Sequence, residues 1–258
     1  MAQRSAEVIM SKHAQRFVVV SDNHGDMQDD NSVAALWDFL KDYKPVTRVH
    51  AGDNWDFRNL RRGASDDEKA ESLAEDWEAG NDFLQRFFDG GKENHFLRGN
   101  HDERMWDFRG SATGLLRDYA TDGVKRIEGV VKKCNAKMLP YDSALGVLNL
   151  GNVRVVHGYH AGKGACREHA GVYGRSLFGH VHTQERYQAA SLDNAESISI
   201  GCMCIRDMDY INKKTGKLRW ANGWCFGLVF PSGEVRIELA KKHEYGFTCA
   251  TEFKTYPA

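Results

Sequence analysis

Arg16-Phe17-Val18-Val19-Val20-Ser21-Asp22-Asn23-His24 sets the reading of the whole chain. A short apolar run that turns polar at once has the form of a buried strand, and its end delivers an acid and an imidazole together. The pattern recurs twice. Val46 to Ala51 runs into Gly52-Asp53-Asn54-Trp55-Asp56, and His95-Phe96-Leu97 runs into Gly99-Asn100-His101-Asp102. Helical spacing fills the gaps. Val33, Leu36, Trp37 and Leu40 make the stripe of one helix, capped by Asn31 or Ser32 and closed by Pro45. Ser65-Asp66-Asp67-Glu68 has the form of a capping box, in which the hydroxyl takes one orphan N–H and the Glu reaches back to another. The helix it opens carries Leu73, Trp77, Leu84, Phe87 and Phe88 on one face and ends at Gly90-Gly91. The acids from Asp66 to Glu78 then form a solvated face suited to the positive end of the helix dipole. This β-α-β-α-β order predicts parallel strands with right-handed crossovers.

The later chain reads differently. One or two helices fit between Thr113 and Lys133, and another between Gly164 and Tyr173. Val147 to Leu150 and Val153 to Val156 flank Gly151-Asn152, a two-residue hairpin turn. Ser176-Leu177-Phe178, Ser197 to Ile200, Trp224 to Phe230 and Glu234 to Leu239 read as further strands, and Cys202-Met203-Cys204 as a continuation of the third-last of these runs. The second half is therefore β-rich and partly antiparallel. The expected fold is α/β, a two-sheet β-sandwich flanked by helices. Residues 1–258 form one domain, its chemistry lies between 22 and 182, and residues 241–258 have a weak pattern that reads as a tail.

Composition narrows the class. The chain has 258 residues, 41% hydrophobic and 28% charged, which is ordinary globular usage and excludes a disordered or fibrous protein. Lys+Arg is 35 against Asp+Glu 36, so no global field draws the chain onto a polyanion and any such site is local. No apolar run approaches the roughly 18 residues of a membrane span. The six cysteines show no repeated spacing and read as reduced thiols, which with no recognisable leader points to the cytoplasm.

Five polar clusters thus follow five strands: Asp22-Asn23-His24, Gly52 to Asp56, Gly99 to Asp102, His157-Gly158 and Gly179-His180-Val181-His182. In open α/β sheets, ligands collect at the carboxyl ends of strands. Carboxylate and imidazole together suit Mn, Fe, Zn or similar divalent ions. On a straight strand His180 and His182 would point opposite ways. They straddle two ions only if the backbone bends, and the flanking Gly179 makes bending cheap.

The ordered set D-x-H, G-D-x-x-D, G-N-H-D, H-G and G-H-x-H resembles the calcineurin-like metallophosphoesterase superfamily. The compact chain is similar to stand-alone members encoded by bacteria and phages. The resemblance implies two ions, with Mn foremost and Fe, Zn or Ni as alternatives. One would be held by Asp22, His24, Asp53 and His182, the other by Asp53, Asn100, His157 and His180, with Asp53 bridging. His101 matches the family's catalytic histidine and Asp56 the carboxylate that orients it. The implied reaction is attack on a phosphate ester by a metal-bridging hydroxide, with His101 protonating the leaving group.

The substrate is less legible. Asp56 is followed by Phe57, and Arg58 comes one place later than in the family's protein phosphatases, which also lack the G-H-x-H ending. Arg58, Arg61 and Arg62, with Arg98, Arg104 and Arg109 around His101, make a local basic patch suited to phosphate, or they pair with the acids at 66–78. His160 is a second candidate substrate contact. Trp55 and Phe57 read as core or lid ahead of base-stacking residues. His13, His95, His169 and His243 carry no motif. The leading expectation is a phosphodiesterase or nuclease acting on nucleotides or nucleic acid. The alternatives are a phosphomonoesterase and, more remotely, a non-catalytic scaffold of the same fold. The oligomeric state is not legible.

Overall fold

The computed structural model describes residues 14–193, 195–206 and 219–249. His13 and the end of the expected tail, 250–258, lie outside them. The strands in chain order are β1 (Gln15–Val20), β2 (Thr47–His50), β3 (Glu93–Leu97), β4 (Ala136–Leu139), β5 (Leu148–Leu150), β6 (Val153–Val156), β7 (Ser176–Phe178), β8 (Gln184–Gln188), β9 (Glu196–Ile200), β10 (Gly223–Val229), β11 (Val235–His243) and β12 (Gly246–Phe247). The helices are α1 (Asp30–Tyr43), α2 (Asp66–Ala70), α3 (Ala74–Phe88), α4 (Asn100–Ser111), α5 (Gly114–Lys133) and α6 (Ala165–Tyr173).

Two sheets form, in the orders β12-β11-β10-β1-β2-β3-β4 and β5-β6-β7-β9-β8. β1 to β4 are parallel, as the alternation of strand and helix requires, and β10 joins β1 antiparallel. Side chains alternate across a strand, so the continuous apolar run of β1 serves two cores. Phe17 and Val19 pack with Val155, Leu177 and Ile198 between the sheets. Val18 and Val20 pack with Leu36, Phe83 and Ile127 under the helices. The hairpin at Gly151-Asn152 forms, with Leu150 opposite Val153.

Several local expectations change. The cap of α1 is Asp29, whose carboxylate accepts the Ser32 N–H at 2.8 Å and also the Lys242 ammonium at 2.7 Å. That second partner comes from the far end of the chain, so local sequence cannot reveal it. The Ser65–Glu68 capping box is present, but it opens only the short α2; Leu73 sits immediately before α3. A single helix, α5, fills 114–133. Cys202 and Cys204 make isolated bridges to Asn222 and Gln28 and are not a strand. The start of the expected tail is ordered: β11 runs to His243, and the Phe247 ring lies 4.6 Å from that of Trp224. Sequence reading missed α4, β4 and β8. Among the described residues no helix is long and apolar enough to cross a membrane, and all six cysteines are free.

Candidate metal centre

The five clusters converge where β1, β2, β3, β6 and β7 end. Asp22 Oδ1 lies 3.3 Å from His182 Nε2, and His182 Nε2 lies 3.2 Å from His24 Nε2. Asn100 Oδ1 lies 3.0 Å from His157 Nε2 and 2.8 Å from His180 Nδ1. Asp53 Oδ2 stands between the two groups, 3.4 Å from His157 Nε2 and 3.9 Å from His24 Nε2. Its other oxygen accepts the His101 backbone N–H at 2.8 Å. The donors therefore fall into two oxygen–nitrogen sets sharing one carboxylate oxygen, and this fits two divalent ions.

The backbone is bent to achieve this. Asp22, His24, Asp53, His180 and His182 all have φ between 52° and 64°, a region costly for non-glycine residues. The bend expected at Gly179 is thus carried by the histidines themselves. Gly179 serves another purpose: a Cβ there would lie 2.4 Å from Asp22 Oδ2. The next residue, His180, donates its backbone N–H to the same Asp22 Oδ2 at 3.0 Å.

His101 is the second residue of α4. Its Nδ1–H donates to Asp56 Oδ1 at 2.7 Å, and the same oxygen accepts from His24 Nδ1 at 3.0 Å. One carboxylate thereby sets the tautomer of both rings, leaving the two Nε2 atoms inward. His24, Asp53 and His101 also bring possible ligand atoms within 4.8 Å of one another. However, Arg104 Nη2 donates to His101 Nε2 at 3.1 Å, and a fixed guanidinium there opposes a cation at that nitrogen.

Burial would raise the Asp53 carboxyl, but His157 and His101 hold it well below the usual carboxylate range. Asp22 likewise is brought down to about 2, against burial, by His182. In return, and again against burial, Asp53 lifts His157 to about 9 and Asp22 lifts His182 to about 9. Burial and the His157 charge push His180 down to about 4.

Two acids that sequence reading passed over hold the central loop. Asp102 accepts the backbone N–H groups of Asp53 (2.8 Å), Asn54 (3.1 Å), Trp55 (3.2 Å) and Gly99 (2.8 Å). Asp76 accepts those of Asp56 (2.9 Å) and Phe57 (2.8 Å). Burial pushes both carboxyls up to about 7. Asp76 thus departs from the solvated acidic face expected for 66–78: it is 2% exposed. The signal for it was an acid one place before Trp77, on the apolar face. His50, also unremarked, holds Asn23 Oδ1 at 2.7 Å beneath the site.

The candidate substrate contacts lie further out. Arg58 pairs with Asp26 and Glu71, and Arg61 with Glu68, as the alternative reading of these cations has it. Both border a cleft of about 530 Å³ that also meets His101, Asp56 and Arg104. Arg62 is exposed. The His160 ring packs edge-on against His169 at 5.1 Å. His169 is a core residue stacked on Phe178. Trp55 and Phe57 are fully buried and stacked on each other, so they are core and not a base platform.

Two outcomes follow. Chelator-stripped protein at pH 7 holds protons on His157 and His182, which incoming ions must displace. Metal uptake should release protons, and apparent affinity should rise with pH until about 9. Calorimetry in buffers of differing ionisation enthalpy checks this, and a buffer-independent heat would contradict it. Separately, Asp76→Ala orphans two buried amides at roughly 1–3 kcal/mol each. Denaturant unfolding should show that loss, together with weakened turnover because Asp56 loses its anchor.

Comparison with known proteins agrees with the geometry. Residues 15–164 match the calcineurin-like phosphoesterase family model, more than half of the chain, ending before His180 and His182. No curated protein sequence matches. Among solved structures, a Vps29 single mutant from Entamoeba histolytica is 12% identical, with 91% of this chain and 97% of that chain covered and a TM-score of 0.50. A metallophosphoesterase from Sphaerobacter thermophilus is 14% identical, with 88% of each chain covered and a TM-score of 0.47. An archaeal phosphodiesterase is 16% identical, with 87% and 99% covered and a TM-score of 0.43. The strand-end motifs, their convergence around Asp53 and the family match together place this chain in the calcineurin-like phosphoesterase family.

Proposed function

We propose that the protein is a dinuclear metal-dependent phosphoesterase, and that a small phosphate monoester is its preferred substrate class. The observation that carries the choice is Arg104, whose guanidinium donates to Asp56 O at 2.6 Å and to His101 Nε2 at 3.1 Å. A monoester dianion rewards a fixed cation beside the metals, and these two contacts hold the Arg104 guanidinium there. Arg58 and Arg61, which would grip flanking phosphates of a nucleic acid, are paired with acids: Arg58 with Asp26 and Glu71, Arg61 with Glu68. With Glu68 and Glu71 taken up in these pairs and Asp56 and Asp67 also lining the cleft, it presents no net positive surface to a polyanion.

Asp22, His24, Asp53 and His182 would hold one ion, and Asp53, Asn100, His157 and His180 the other. Bound there, the ions supply Lewis acidity and lower the pKa of the attacking water. The chain does the rest. Asp56 fixes the His101 ring at 2.7 Å. For His101 to give the leaving oxygen a proton, its Nε2 must carry one and the Arg104 Nη2 contact at that nitrogen must open. Arg104 stabilises negative charge at the same point. Small phosphodiesters are the second reading, because the cleft beside His101 has room for a second ester group. A non-catalytic scaffold has no need of a histidine locked by one carboxylate and faced by a guanidinium.

The experiment is a comparison of p-nitrophenyl phosphate, bis(p-nitrophenyl) phosphate and single-stranded DNA with added Mn²⁺. The monoester should win in kcat/KM and DNA should not be cut; a diester or DNA preference overturns the substrate choice. His101→Asn should keep both ions and slow turnover by roughly 10²–10⁴-fold, the range for losing a general acid. The defect should shrink with good leaving groups, which need no proton. Lost metal, or full activity on an alkyl phosphate, would contradict the role of His101.

A further inference from the structure

The ligand histidines differ in what holds their outer nitrogen. His24 Nδ1 faces a carboxylate, Asp56, at 3.0 Å. His157 Nδ1 faces a backbone carbonyl, Ala51 O, at 2.8 Å. His182 Nδ1 faces a thiol, Cys204 Sγ, at 3.8 Å. His182 Nε2 points the other way, 3.3 Å from Asp22 Oδ1, so it is the nitrogen that offers a lone pair inward. An imidazole that binds through Nε2 carries its proton on Nδ1, and a buried N–H needs an acceptor. His182 is 4% exposed and Cys204 0%, so bulk water does not supply one.

The thiol is held in place from several sides. The backbone around it is tied to the strand-end loop that carries Asp22 and His24: Met203 N donates to Asp22 O at 3.1 Å, and Ile205 N to Met27 O at 2.8 Å. Asn222 Nδ2 donates to Cys204 O at 2.6 Å. The Trp220 ring, 4.1 Å from that of His182, closes the remaining side. One nitrogen of His24, one of His182 and Cys204 Sγ all lie within 4.8 Å of one another.

Resting on the dinuclear reading above, we infer that Cys204 is a positioning residue for the Asp22–His24–His182 ion, acting through the His182 Nδ1–H···Sγ contact and not as a ligand itself. Sulfur is a weak acceptor beside a carboxylate or a carbonyl. It leaves His182 the less firmly oriented of the two rings at its own ion position, where His24 is set by a carboxylate. Loss of such an outer partner lowers metal affinity by about 10–100-fold.

The test is a two-step Mn²⁺ titration of wild type, Cys204→Ala and Cys225→Ala, with metal counted in each. Cys225 is equally buried but packs between the sheets, so its variant reports the cost of a cavity alone. The expected result is two ions in wild type. Cys204→Ala should weaken one step, by about 10–100-fold, and Cys225→Ala should leave both steps unchanged. Wild type needs no variant for two further arms. Histidine ¹⁵N spectra of the Zn²⁺-loaded protein should show His182 Nδ1 protonated, and Co²⁺-loaded protein should lack sulfur-to-cobalt charge-transfer absorption. Two ions in wild type with an unchanged Cys204→Ala titration, an unprotonated Nδ1, or a charge-transfer band each overturns the inference alone. A wild type that binds only one ion overturns the dinuclear reading on which it stands.

Discussion

Five consecutive backbone N–H groups, from Asp53 to Phe57, donate to just two buried carboxylates, Asp102 and Asp76. The site depends on this arrangement more than on any ligand. Asp53 must face both ions and Asp56 must face both His24 and His101, yet the two acids are only three residues apart. A loop free to move would not hold both. Asp102 anchors its first half to α4 and Asp76 its second half to α3, so two helices and the end of β2 share one frame. Both carboxyls are costly to bury, and burial raises both to about 7. The amide bonds offset that cost, and left unmade they would orphan a row of buried donors.

The same economy explains the backbone. Five predicted ligands sit at positive φ, a region costly for most side chains that Asp and His visit more readily than others. Each lies just past a strand, where the sheet ends and the chain must turn. Rotating the residue into the left-handed region turns its side chain back across the sheet edge toward the shared point. The surrounding bonds over-determine this geometry: Asp22 N to Gly52 O at 3.0 Å and His24 N to Asp53 O at 3.1 Å stitch the first two strand ends together. Strain that elsewhere would relax is here held by neighbours that are themselves part of the site.

Much of this was legible in the residues. The apolar runs ending in Asp22, Asp53, Asn100, His157 and His180 set the parallel strands and the edge where they converge. The hairpin turn, the Ser65 capping box and the two-sheet architecture also followed from local patterns. What escaped was non-local or hidden by analogy. Asp29 caps α1 with help from Lys242, 213 residues away in sequence. Asp76 looked like one more acid on a solvated helix, and only its place beside Trp77 hinted at burial. Arg104 was one of several arginines near His101; three residues of helix bring it to Nε2, and α4 itself was not foreseen. Cys204 was read into a strand, because alternation alone cannot distinguish a strand from a pinned loop.

The central claim is that one Asp53 oxygen joins two ion positions. Anomalous diffraction from crystals equilibrated with Mn²⁺ tests it directly. The account predicts two peaks about 3.5–4 Å apart, both in ligand contact with Asp53, one beside His24 and His182 and the other beside His157 and His180. A single peak, or two peaks of which one does not touch Asp53, would contradict it.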